Sequence, residues 1–130
     1  MKILVLLCFV VVGVVTGKGK INEEDMAKLL KLSEECKKET GIDETISKKA
    51  RMGEFVEDAK LKEQIFCVNK KSKIQDESGK FLIENIKSYI NKYTNSMDKT
   101  NEIVEKCFKE KDTAQQSAFE AAKCMHPMVA

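Results

Sequence analysis

The chain has 130 residues, about a third of them charged, and its 23 basic and 21 acidic side chains leave a formal net charge of +2. So even a balance leaves no electrostatic footprint for nucleic acid or for an anionic membrane surface. Aromatic residues make up 6% and there is one proline, so any core must come from narrow apolar stripes on short elements.

At the amino terminus Lys2 precedes an uncharged run from Ile3 to Gly17 that closes on Val15, Thr16 and Gly17. A cationic start, a short apolar region and a small-residue exit form the pattern of a cleaved secretory signal, and the run is short of the about 20 residues a membrane-spanning helix needs. Residues 1–17 are therefore expected to be removed, taking Cys8 with them, and residues 18–130 to form one extracellular domain with no membrane insertion. Losing Lys2 from the 23 basic residues leaves 22 against 21 acidic ones. The mature chain keeps Cys36, Cys67, Cys107 and Cys124, and an even number of cysteines in a small secreted chain argues for a disulfide framework. Four cysteines allow three pairings, and composition does not choose among them.

Taken in order, Ile21 to Thr40 opens on Asn22 as a cap and on Glu23, Glu24 and Asp25, acids that favour a helix start. Met26, Leu29, Leu30 and Cys36 fall on one face at helical spacing, and Gly41 stops the run. Asp43 caps a shorter helix to Lys49, and Arg51, Met52 and Gly53 form a joint. From Glu54 to Lys71 the residues Phe55, Val56, Leu61, Ile65, Phe66 and Val68 again recur at threes and fours, with a break near Asp58 and Cys67 in the second half. Gln75 to Gly79 reads as a polar turn. Phe81 to Tyr93 carries the clearest stripe, Leu82, Ile83, Ile86, Ile90 and Tyr93, with Tyr89 at its margin. A fifth helix runs from about Met97 to Lys109 through Ile103, Val104, Cys107 and Phe108. After a turn at Lys111, Asp112 and Thr113, a sixth runs from Ala114 to Met125, leaving Pro127 outside every helix. The expected fold is all-α: a compact bundle of about six short helices.

The chemistry of catalysis is missing. Neutral-pH catalysis most often uses a histidine, and the one histidine, His126, sits beside Pro127 at the tail, where a solvated imidazole is expected. A secreted helical phospholipase would need a histidine–aspartate pair on a disulfide-locked helix, and the chain has none. Intervals of thirty, thirty-nine and sixteen residues between the cysteines do not resemble zinc pairs. No enzyme, cofactor or metal site is therefore expected. Lys70, Lys71 and Lys73 are interleaved with acids and read as a solvated face. A bundle of short, non-parallel helices does not easily fill solid, and an apolar cavity with a few polar groups is the default small-molecule site.

In its cysteine positions the chain resembles the insect odorant-binding proteins, the general-odorant and pheromone-binding superfamily. These usually carry six cysteines, the second and third separated by three residues and the fifth and sixth by eight. Counting back from Cys67 and from Cys124, those two positions hold Glu63 and Gln115. The family joins first to third, second to fifth and fourth to sixth, so the absent pair are each other's partners, as in the four-cysteine, C-minus branch. The Leu61-Lys62 run before Cys67 and the polar turn from Asp76 to Lys80 also match. The resemblance implies bonds Cys36–Cys67 and Cys107–Cys124. It also implies a central apolar pocket for a small hydrophobic ligand, walled by Val56, Phe66, Leu82, Ile86, Ile90, Tyr93, Val104, Phe108, Ala118, Phe119 and Ala122, with Tyr89 or Tyr93 offering a hydroxyl.

The implied function is a secreted carrier of odorants, pheromones or similar semiochemicals through aqueous fluid, as a monomer or weak homodimer, with a membrane chemoreceptor as the partner where the role is olfactory. The competing class is a secreted helical signalling protein with a solid core and no small-molecule ligand. Without the middle bond the third helix is free of the sixth, and Glu63 and Gln115 are expected to be neighbours within hydrogen-bonding reach. The tail after Cys124 is too short for the extra helix that some pheromone carriers insert into the pocket as pH falls.

Overall fold

The computed structural model describes residues 23–129. The expected signal, its cleavage point and the Asn22 cap lie outside them. Six helices follow in order: α1 Glu23–Thr40, α2 Glu44–Arg51, α3 Ala59–Lys71, α4 Ile83–Thr94, α5 Met97–Cys107 and α6 Ala114–Val129. No helix among the described residues is long and apolar enough to cross a membrane.

Local chemistry sets most of the boundaries. The carboxylates of Asp43 and Asp58 accept the backbone N–H groups of Thr45 and Leu61, at 2.7 and 2.9 Å, and so start α2 and α3. Ser96 does the same for α5 through Lys99 N–H at 3.2 Å. Each cap satisfies one donor that the first turn leaves without an intrahelical partner. The break near Asp58 is thus the start of α3, and residues 54–58 form a non-helical strap rather than the first turn of a longer helix. Phe81 and Leu82 also lie outside α4, because Phe81 pairs with Gln75 in an isolated antiparallel bridge and the Leu82 N–H donates to the Ile74 carbonyl. At the far end α5 stops at Cys107, two residues short of the expected Lys109.

Two expectations fail on packing. Leu30 is 56% exposed, since the inward arc of α1 is filled by Met26, Leu29 and Cys36, and Leu30 lies one residue, about 100° of helix, beyond Leu29. The last helix continues through His126 and Pro127. Proline there forfeits one backbone bond near a terminus, while Met125 and Met128 pack into the core and hold the final turn in register.

The two disulfides are Cys36–Cys67, joining α1 to α3, and Cys107–Cys124, joining α5 to α6. Around them the interior forms two large apolar clusters. The first gathers Leu29, Phe81, Ile86, Ile90, Tyr93, Ile103, Val104, Cys107, Ala121 and Met125. The second gathers Ile42, Ala50, Leu61, Ile65, Phe66, Ala118, Phe119 and Ala122. The sixth helix lies between them, turning Ala121 and Met125 to one side and Ala118, Phe119 and Ala122 to the other.

A buried polar plug holds the loop after α3. Gln75 accepts from Asn69 Nδ2 at 2.7 Å and donates to the carbonyls of Gly79 and Ala114 at 2.9 and 3.3 Å. The loop approaches α6 so closely that a Cβ on Gly79 would collide with Ala114, and φ at Gly79 is +96°, which excludes side chains on both counts.

Candidate functional site

The helices distribute the expected wall residues over both clusters. Ile86, Ile90 and Tyr93 from α4 and Val104 from α5 are buried in the first, with Phe108 packed on it. Phe108 meets Phe81 edge to face at 5.3 Å between centroids. Phe66 from α3 and Ala118, Phe119 and Ala122 from α6 belong to the second. Three residues sit in neither: Leu82, Tyr89 and Val56 are half-buried, with the Lys92 ammonium 5.9 Å above the Tyr89 ring. Leu61, Ile65, Phe81 and Ile103 are more deeply buried than Phe66, Tyr93, Val104 and Ala122 of the expected wall. Their helical spacing, or for Phe81 its aromatic bulk before the stripe of α4, is the sequence signal that would have added them.

Phe119 anchors the second cluster. It is fully buried, edge-on to Phe55 of the strap at 6.1 Å, and overlaid by the ammonium groups of Lys62 and Lys123 at 5.3 and 5.7 Å from its centroid. Phe55 in turn meets the His126 ring at 5.9 Å. His126 is therefore not the solvated tail imidazole expected; it is half-buried against the strap and bonded to the Arg51 backbone. Burial pushes its pKa below the ordinary histidine value, and the Arg51 contact partly opposes this. The chain passes so close at Gly53, φ +93°, that a Cβ would lie 2.9 Å from the imidazole Cε1.

On the outer surface a groove of about 490 Å³ runs between the end of α1, α3 and the start of α6. Phe66 and Cys67 reach it from the core side, and Lys70, Lys71 and Lys73 line it together with Glu39, Glu63, Glu77 and Gln115. Acids and bases do alternate here, as expected of these lysines. Lys71 is bound to Glu39 at 3.0 Å and lies 3.8 Å from Glu35, and the Glu39 hydrogen bond, chiefly, holds its pKa above the ordinary lysine value. Glu63 and Gln115 share the groove as the cysteine comparison implies. The expected hydrogen bond between them is not among the side-chain bonds of the described residues, and Glu63 is solvent-exposed. No group of three or more metal-ligating side chains occurs among the described residues.

The bundle is stapled by two disulfides and apolar on both sides of its last helix, and its likeness to known proteins favours a small-ligand carrier over a solid-core signalling protein. The chain belongs to the PBP/GOBP family, whose sequence pattern matches residues 8–127. It is 40% identical over 105 residues to the B1 protein of Tenebrio molitor, covering 81% of either chain. The THP12 carrier protein from yellow meal worm superposes with a TM-score of 0.59 at 34% identity, covering 86% of this chain and 96% of that one. The odorant-binding protein dmelOBP28a from Drosophila melanogaster superposes with a TM-score of 0.69 at 22% identity, covering 82% and 93%, a likeness of fold.

Proposed function

We propose that the protein is a secreted carrier that takes up small hydrophobic molecules, odorants, pheromones or related semiochemicals, and moves them through aqueous extracellular fluid without catalysis. The observation that carries this reading is family membership over residues 8–127 combined with an interior that is apolar on both faces of α6. The ligand would lie against α6, with Ile86, Ile90, Tyr93, Val104 and Phe108 on one side and Phe66, Ala118, Phe119 and Ala122 on the other. Leu82, Tyr89 and Val56 would close its margins, and the hydroxyl of Tyr89 or Tyr93 would meet a ligand carbonyl or alcohol. A C-minus assignment fits the two disulfides and the side chains at positions 63 and 115. Residues 1–17 are the export signal in this reading, the carrier is a monomer or weak homodimer, and its partner in an olfactory setting is a membrane chemoreceptor.

The driving force is transfer of apolar surface out of water. Burying about 300 Å² of ligand is worth roughly 7 kcal/mol, and the costs of association bring this to about micromolar affinity. Uptake of N-phenyl-1-naphthylamine by folded, oxidised protein, with its fluorescence displaced by long-chain alcohols and esters, is the expected result. Protein that takes up no apolar probe at micromolar concentration would refute the reading.

A further inference from the structure

The outer groove, at about 490 Å³, falls in the size range of small-molecule sites, and its charges divide into a spent set and an unspent one. Lys71 is spent on Glu39 and Glu35. Lys70, Lys73, Glu63 and Glu77 also line the groove, and none of the four belongs to an ion pair among the described residues. Two ammonium groups and two carboxylates without a protein partner therefore share one concavity, with no net charge between them. A lone anion there meets two carboxylates and a lone cation meets two ammonium groups. A dipolar molecule meets an opposite charge at each of its ends.

The third helix sets the order of these groups. Glu63, Phe66, Cys67 and Lys70 stand at i, i+3, i+4 and i+7, on one helix face, so a carboxylate and an ammonium flank an apolar floor along about 10 Å of axis. The floor is the edge of the Phe66 ring and the Cys67 sulfur, which is bonded to Cys36. The Lys70 ammonium rests 4.7 Å from the ring centroid, a cation–π contact that is weak at a solvated site and that a charge-assisted bond to a carboxylate outweighs. Lys73 follows just past the end of α3 with φ +66°, a left-handed conformation that favours glycine or asparagine. The turn fixes it: the Ile74 N–H donates to the Asn69 carbonyl at 2.8 Å, and the Asn85 amide donates to the Lys73 carbonyl at 3.0 Å. Glu77 stands in the next turn, which the Asp76 carboxylate closes by accepting from the Ser78 and Lys80 N–H groups. Both charges of the loop are thus carried on backbone that is itself tied down.

We propose that this groove is a second binding site, separate from the apolar interior, for a free aromatic amino acid in its zwitterionic form. Its carboxylate accepts from Lys70 and Lys73, its α-ammonium donates to Glu63 and Glu77, and its ring lies on the floor of Phe66 and Cys67, where ring–ring and sulfur–ring contacts are available. The two charged groups of an amino acid share one carbon, and the long side chains of lysine and glutamate reach it from opposite ends of the groove. The site is independent of the carrier reading.

Binding of L-phenylalanine to the oxidised protein would be followed by amide NMR titration. The expected result is saturable shifts over residues 63–77 and at Gln115, with a dissociation constant on the order of 0.1 to 1 mM for so small a ligand. Phenylpropanoate, phenethylamine and glycine lack the ammonium, the carboxylate and the ring in turn, and each should bind at least about tenfold more weakly. Glu63→Gln/Glu77→Gln and Lys70→Gln/Lys73→Gln should weaken phenylalanine by a similar factor. Because these four side chains form no ion pair, both variants should keep the wild-type urea midpoint and the wild-type uptake of N-phenyl-1-naphthylamine. Phenylpropanoate binding as well as phenylalanine would reduce the groove to an anion site and overturn the proposal, as would variants that bind phenylalanine like wild type. Shifts centred on the two apolar clusters, displacement of the naphthylamine by phenylalanine, or no shift at millimolar phenylalanine would overturn it equally.

Discussion

The two disulfides sit in unlike surroundings, and the contrast shows where the bundle depends on covalent help. Cys107–Cys124 lies within the larger apolar cluster, among Phe108, Met125 and Met128, with the Met128 sulfur 3.6 Å from Cys107 Sγ. Its two helices would still be packed against each other if the bond were gone. Cys36–Cys67 has only Val68 in its cluster, and α1 buries little else, Leu29 being the other deeply buried residue along its 18 residues. What remains to hold the second half of α1 is polar: Gln64 Nε2 donates to the Ser33 carbonyl at 3.1 Å, Thr40 Oγ1 donates to Gln64 at 2.9 Å, and Lys71 pairs with Glu39 and Glu35. A helix with a thin apolar stripe leans on its staple; a helix already embedded in the core does not.

The largest expected effect tests that contrast directly. Cys36→Ser/Cys67→Ser should lose about 3 to 5 kcal/mol in urea denaturation, and Cys107→Ser/Cys124→Ser about 2 to 3. The entropy of loop closure alone predicts nearly equal losses, about 3.7 kcal/mol for a separation of 31 residues and about 3.1 for 17, so a difference beyond that gap reports the packing. Amide exchange in the first variant should rise selectively over residues 33–40. Equal losses, or uniform exchange through both halves, would break the comparison.

A smaller effect is expected where the loop after α3 is tied to α6. Gln75→Leu removes the partner of the buried Asn69 amide and the donor to the Ala114 carbonyl, and leaving such groups unsatisfied should cost about 1 to 3 kcal/mol by urea denaturation. The adjacent Asp76, whose carboxylate is held below the ordinary range chiefly by the Ser78 hydroxyl and then by the Lys80 N–H, keeps the same turn closed from outside. A loss no greater than that of an exposed substitution would mean the plug is not structural.

The smallest effect concerns His126. Its folded pKa lies below the ordinary histidine value because burial penalises the imidazolium, so the unfolded chain binds the proton more readily. Stability from this group is complete above the ordinary histidine range and is lost as pH falls from that range through the lowered folded value. Between pH 7.5 and 5.5, wild-type protein should lose more stability than His126→Gln, read as the difference in their urea midpoints. Parallel pH profiles would show that the ring is not buried against the strap.

Much of the fold was legible in the sequence because helices announce themselves locally. Asp43, Asp58 and Ser96 are side chains whose chemistry closes a first turn wherever they occur, and periods of three and four in Leu61, Ile65 and Val68 or in Ile86, Ile90 and Tyr93 require a buried face. The disulfide pairing was legible only by comparison, from the positions of Glu63 and Gln115, since spacing alone allows three pairings. Leu30 was misjudged, and the burial of Gln75 within its turn was not foreseen, for one reason: hydropathy ranks a side chain's preference, while burial depends on what its neighbours leave open. Leu30 lies just past the filled arc of α1, and Gln75 is buried because its amide finds both a donor and carbonyl acceptors.

The sequence by itself determined six helices and their approximate ends, consequences of nearest-neighbour geometry and of side-chain type. Only the tertiary structure decided that α6 continues through Pro127, that it divides the apolar interior in two, and that α3 meets it along a seam no disulfide crosses. Periodicity reports that a helix has an apolar face but not which partner that face will meet. That choice is made by the packing of all six helices at once.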